Sequence, residues 1–190
     1  MKRLCIALLL LLAAAPVLAW SGKVVGVTDG DTLTVLRIQG EKKEEVKVRL
    51  YGIDAPEKSQ PFYAQSKATA SALVFGKVVD VQAKGKDRYG RTLAEVISED
   101  KWSLNRALVW YGMAWWYKKY APKNKDLEKL ESEARKAKRG LWTDAAPVPP
   151  WQWREEHKKK TSAAATESLI LRGEAVQGDV LHSKALRNEA

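Results

Sequence analysis

Between residues 46 and 51 apolar and polar side chains alternate strictly, with Val46, Val48 and Leu50 on one face and Lys47, Arg49 and Tyr51 on the other. That period of two predicts a half-buried strand whose Arg49 faces away from the aliphatic core. Residues 24–28 and 33–38 read as two further short strands. The polar stretch 39–45 joins the second of these to residues 46–51 as a hairpin. Over residues 62–75 the pattern changes to a helical stripe of Ala64, Ala68, Ala72 and Phe75, with Gly76 placed as a C-terminal cap. Strands at 78–83 and 92–97 come next, separated by a turn over 84–91. A second helix is expected after Ser103 as N-cap, burying Leu104, Ala107, Leu108 and Tyr111 before Gly112. A third begins after Pro122, with Leu127, Leu130, Ala134, Ala137 and Leu141 inward. Five strands and three helices make an α+β domain, and a closed or partly open Greek-key barrel accommodates them.

The two ends differ from this middle. Lys2 and Arg3 precede an apolar run over residues 4 to about 15, then Val17-Leu18-Ala19. This is the shape of a secretory signal, too short for a membrane span of roughly 20 apolar residues. Cleavage is expected after Ala19, giving a protein that is periplasmic or secreted. At the other end Pro147-Val148-Pro149-Pro150 breaks regular structure. Residues 151–190, with a basic run at Lys158-Lys159-Lys160 and no sustained periodicity, are expected to be a mostly disordered basic tail. The domain boundaries are thus 1–19, 20–146 and 147–190.

Charge adds a partner class. The 33 basic and 23 acidic residues become 31 and 23 once Lys2 and Arg3 are removed, a net charge of +8. Such a chain favours polyanions, either nucleic acid or an anionic envelope surface. The single cysteine, Cys5, lies in the expected signal, so the mature chain has no disulfide and depends on a packed core. No feature implies an obligate protein partner, and a monomer is expected.

Three turns carry the candidate chemistry: Asp29-Gly30-Asp31-Thr32, Arg49-Leu50-Tyr51-Gly52-Ile53-Asp54-Ala55-Pro56-Glu57 and Asp87-Arg88-Tyr89-Gly90-Arg91. The first alone is an ordinary turn sequence. It gains meaning from the second acidic cluster at the end of a neighbouring strand. Both histidines, His157 and His182, lie in the tail, so a zinc or copper site in the domain is disfavoured. Carboxylates instead suit a hard cation such as calcium or magnesium. Without histidine, a carboxylate is the available base, and Glu57 after the rigid Pro56 is the candidate. Two arginines meet charge on phosphoryl oxygens with forked, permanently charged donors.

In this order and spacing the three motifs resemble the staphylococcal (micrococcal, thermonuclease) nuclease family, over residues from about 23 to 142. The resemblance implies an oligonucleotide-binding (OB-type) five-stranded Greek-key barrel. It also implies a calcium-dependent endonuclease acting on DNA and RNA with broad sequence preference and leaving 3′-phosphate ends. By the same resemblance, Asp31, Asp54 and the main-chain carbonyl of Ala55 hold Ca2+. Arg49, Glu57 and Arg91 are catalytic, Arg88 and Tyr89 contact phosphate, and Tyr120 stacks beneath a base. A second stacking tyrosine aligns with Lys118, and the adjacent Tyr117 is the candidate for its role. Two other classes fit the same chain: a catalytically silent nucleic-acid-binding module of the envelope, and an envelope binder acting through its basic tail.

Overall fold

A computed structural model describes residues 19–185, with side chains through residue 168. The expected signal peptide, apart from Ala19, lies outside the described residues. Five strands close into a barrel in the order β1-β2-β3-β6-β5: β1 Ala19–Asp29, β2 Thr32–Gln39, β3 Lys42–Leu50, β5 Val78–Lys86 and β6 Thr92–Ser98. All neighbours are antiparallel except β3 and β6, which run parallel. The expected barrel is therefore present and closed, the β3–β6 pairing of Val48–Leu50 with Thr92–Ala94 sealing it. A two-stranded ribbon pairs β4 Ile53–Asp54 with β7 Trp115–Trp116.

The alternation in β3 holds. Val48 and Leu50 are buried beside Val24, Leu33, Val35, Val79, Val81, Ala94 and Val96, and Val46 packs against the same cluster. The first strand is longer than its apolar segment suggests, because Ala19 and Trp20 pair with Gln82 and Val81. The barrel's end is closed by α2 Leu104–Trp110, whose buried Asn105 secures the parallel junction. Its Nδ2 donates to the carbonyls of Tyr51 and Ala94 at 2.9 and 3.1 Å, and its Oδ1 accepts from the Val96 amide at 3.1 Å. An apolar residue there would strand these backbone groups, costing about 1–3 kcal/mol for each one left unpaired.

Helix α1, Tyr63–Val74, turns inward a different face from the expected one. Ser66, Ala70 and Val74 are buried, whereas Ala64, Ala68, Ala72 and Phe75 are exposed. Alanines on both sides blur the stripe, and the deciding inward residue is polar. Ser66 is accommodated because its hydroxyl donates to the Met113 carbonyl at 2.7 Å. The same hydroxyl lies against Gly30, where any Cβ would collide with it, so α1 sits directly under the Asp29–Asp31 turn.

In α2, Leu104 and Leu108 are inward as expected, and the Ser103 side chain accepts from the Arg106 amide. Tyr111 is exposed, and Val109 replaces it in the core. Trp110 is 39 % exposed beneath the Arg139 guanidinium. Helix α3, Lys125–Lys136, is capped by Asn124 and buries Leu127 and Ala134; Ala137 is exposed. A 3₁₀ turn over Gly140–Thr143 carries Leu141 and Trp142 inward.

The largest departure lies beyond the prolines. Pro150–Ala185 is a 36-residue helix, α4, in place of the expected disordered tail. Proline at the first helical position is tolerated because that N–H lacks an intrahelical acceptor in any case. Trp151 then meets Trp115 edge-on at 5.8 Å and stacks on Tyr117 at 5.1 Å, with planes 10° apart. This anchor ties the start of α4 to the barrel.

Candidate active site

Turn geometry brings the acidic motifs together. Asp31 comes directly after Gly30 in the β1–β2 turn, with its amide donating to Asp29 Oδ1 at 3.1 Å. Asp54 ends the short strand β4, which leaves β3 through Gly52 at a positive φ of 78°. Both carboxylates are buried, at 5 % and 1 % exposure. Arg49, near the end of β3, lies between them: Nη1 is 2.9 Å from Asp31 Oδ2 and Nη2 is 2.8 Å from Asp54 Oδ1. Its Nη1 also donates to the carbonyls of Leu50 and Ile53 at 3.2 and 3.0 Å. The fork is held on several sides, so Arg49 is preorganised before any ligand arrives.

Asp31 Oδ2 additionally accepts from the Ala55 amide at 2.6 Å. Burial pushes the Asp31 carboxyl well above the ordinary aspartate range. Arg49 opposes that push, while the charges of Asp29 and Asp54 reinforce it. Within the barrel, Arg49 is the one guanidinium set between Asp31 and Asp54, so these three groups carry a net negative charge when both acids are ionised. That is the electrostatic condition under which a small divalent cation binds, and the available donors are the hard oxygens such an ion prefers. Among the described residues no group of three or more His, Cys, Asp and Glu converges as a complete cage, so the remaining ligands would come from carbonyl oxygen and water.

Glu57 lies three residues past Asp54 and is partly exposed at 39 % of its side chain. Its loop is pinned by Gln60, whose Oε1 accepts from the Glu57 amide at 3.0 Å and whose Nε2 donates to the Val148 carbonyl at 2.6 Å. Arg91 approaches from the β5–β6 turn. Its Nε donates to Asp87 Oδ2 at 2.6 Å, and its Nη1 reaches Thr32 Oγ1 at 3.5 Å, beside Asp31. Burial works to raise the Asp87 pKa, but the Arg91 side chain and the amides of Arg91 and Tyr89 hold the acid below its usual range.

Asp31, Arg49, Asp54 and Glu57 thus share one site, with Arg91 at its margin. The expected phosphate and base contacts are more dispersed. Arg88 and Tyr89 engage each other, with Nη2 donating to the hydroxyl at 2.7 Å and the guanidinium lying over the ring. Tyr117 and Tyr120 meet edge to face at 4.9 Å, but the face of Tyr117 is covered by Trp151.

A residue absent from the sequence expectation enters this site. Arg154 of α4 donates from Nη2 to Asp54 Oδ2 at 2.7 Å, and from Nη1 to Asp54 Oδ1 at 3.3 Å and to Glu57 Oε1. Burial alone would lower its pKa, but the hydrogen bonds and charges of Asp54 and Glu57 outweigh that and raise it. The available signal was compositional: Trp151-Gln152-Trp153-Arg154 is aromatic where a solvated tail would be depleted in aromatics.

The chain is similar in sequence to known nucleases. The family described as staphylococcal nuclease homologue matches residues 47–144. An uncharacterized endonuclease of Escherichia coli O157:H7 is 46 % identical over 140 residues, covering 73 % of this chain and 86 % of the relative. An uncharacterized endonuclease of Haemophilus influenzae is 48 % identical over 136 residues, 72 % of this chain and 74 % of its own. A micrococcal nuclease of Shigella flexneri is 37 % identical over 156 residues, covering 76 % and 87 %.

Proposed function

The chain belongs to the staphylococcal nuclease family and is a phosphodiester hydrolase, and from that premise we propose that it is an exported, calcium-dependent endonuclease of DNA and RNA. One observation carries the reading: a single arginine, Arg49, forks between two buried carboxylates from separate turns, with Glu57 beside them. Asp31, Asp54 and the Ala55 carbonyl would hold the cation, which supplies Lewis-acid polarisation of a phosphoryl oxygen. The rest falls to the chain's own groups. Glu57 orients the attacking water and accepts its proton. Arg49 and Arg91 donate to the non-bridging oxygens as charge accumulates there, the type of donor whose loss costs about 100-fold or more in turnover. Arg91, the more exposed of the two, faces the departing 5′ oxygen, so that phosphate remains on the 3′ end.

Broad sequence preference is consistent with a site built from backbone-directed charge and aromatic faces, which read no base edges. The deciding experiment is digestion of plasmid and RNA in calcium, in magnesium and in excess chelator. Calcium should restore chelator-treated enzyme and magnesium should do so poorly. Undiminished cleavage in chelator would remove the cation from the mechanism. Export is tested by the mature N-terminus, expected at Trp20; retention of Met1 in a membrane fraction would contradict it.

A further inference from the structure

Asp54 is clasped from two sides. Arg49 takes Oδ1 from the barrel, and Arg154 spans both oxygens from α4, placing a second guanidinium against the same carboxylate while also bonding Glu57. Two of the acids on which hydrolysis depends are thereby engaged by one side chain that the barrel itself does not supply. A carboxylate held in a guanidinium fork is a weaker ligand for a divalent cation and a weaker acceptor for a proton from water. Arg154 adds a second positive charge where the barrel sets only Arg49 between Asp31 and Asp54, although its fixed fork offers no Lewis-acid chemistry. It is also replaceable, since over a third of its side chain is open to solvent.

The position of Arg154 is set rather than incidental. Trp151, three residues earlier and on the same helix face, stacks on Tyr117 and abuts Trp115. Gln60 ties the Glu57 loop to the Val148 carbonyl just before the helix begins. The start of α4 is therefore fastened to both sides of the site, and Arg154 is delivered one helical turn beyond the aromatic anchor.

We propose that Arg154 is a built-in counter-ion of Asp54 and Glu57 that a divalent cation displaces, making α4 a gate that sets the cation concentration at which the nuclease is active. This inference rests on the calcium reading above. Trp151 remains docked and acts as the pivot, while the Arg154 side chain withdraws and frees Glu57. Linkage requires reciprocity: whatever factor Arg154 takes from cation affinity, the cation takes from the hold of Arg154 on the site.

The test is calorimetric titration of calcium into the full mature chain without nucleic acid, comparing wild type with Arg154→Gln and Arg154→Lys. Arg154→Gln should bind calcium on the order of tenfold more tightly, the scale of losing one strong charge-assisted competitor. Arg154→Lys should fall between them. Amide exchange supplies a second readout: calcium should accelerate exchange around residues 154–158 in the wild type, and Arg154→Gln should show the fast exchange already without calcium. Near-ultraviolet circular dichroism confirms that each variant keeps its aromatic packing. Equal or weaker calcium affinity in Arg154→Gln overturns the gate alone. Absence of calcium uptake by all three chains overturns the calcium reading and the gate with it.

Discussion

Two arginine-bearing regions flank the site, and they are held in different ways. Arg49 lies 14 % exposed between two buried aspartates and two backbone carbonyls, so tertiary burial fixes it. Arg91 is 31 % exposed, and its chief partner is Asp87 of its own turn, so local structure fixes it. Under the proposed mechanism the buried cluster couples catalysis to folding, whereas the exposed turn separates them. Removing Arg49 leaves the desolvated Asp31 without its ion-pair partner and Asp54 held by Arg154 alone, so its loss disturbs more than the chemistry.

The largest effect is therefore expected for Arg49→Ala. Turnover should fall by roughly 100-fold or more, and unfolding stability by about 3 kcal/mol, the scale of breaking a buried ion pair. Denaturant melts in chelator check it, and an unchanged midpoint would show that the aspartates are solvated. Arg91→Ala should lose a comparable 100-fold in turnover while its midpoint stays within the range of an ordinary surface change, about 0.5 kcal/mol. A melt as damaged as that of Arg49→Ala would erase the contrast between the regions.

Asp31 sharpens the comparison through pH. Burial raises its folded pKa above the unfolded value, so the folded state binds the proton more tightly. The stability contributed by that proton is full below the ordinary aspartate range and is lost as pH rises through the raised folded pKa. In chelator, stability should decline over that window, and Asp31→Asn should flatten the decline and gain ~1 kcal/mol at neutral pH while losing calcium binding. Stability of wild type and variant that runs parallel across pH would contradict this. The smallest effect is expected for Tyr89→Ala. The ring is 68 % exposed and sits under Arg88 and Arg91, so its removal should raise KM a few-fold and leave the melt unmoved, on the scale of an exposed cation–π contact of about 0.5–1 kcal/mol. A large loss of kcat would place Tyr89 closer to the reacting phosphate than its turn suggests.

Legibility tracked the range of the interactions. Strict alternation in β3 identified the inward Val48 and Leu50 and turned Arg49 out of the aliphatic core, because strand periodicity is a local property of the backbone. The acidic and arginine motifs could be read for the same reason, each lying on one short turn. Helix α1 was misread in its facing because its inward side is led by Ser66, whose burial depends on a carbonyl 47 residues away. Residues 147–149 carry no regular structure, and no apolar stripe in residues 151–190 signalled the helix that starts at Pro150.

By itself the sequence determined the barrel's strands, the three motifs and the membership of a phosphodiester hydrolase family that they carry, since these depend on residue type and short spacing. Only the tertiary structure decided which charges meet. Arg154 and Asp54 stand 100 residues apart, and their pairing depends on the docking of Trp151 on Tyr117 and the tether from Gln60 to Val148. Such a contact arises from the closure of the whole chain around one site, so no local periodicity records it.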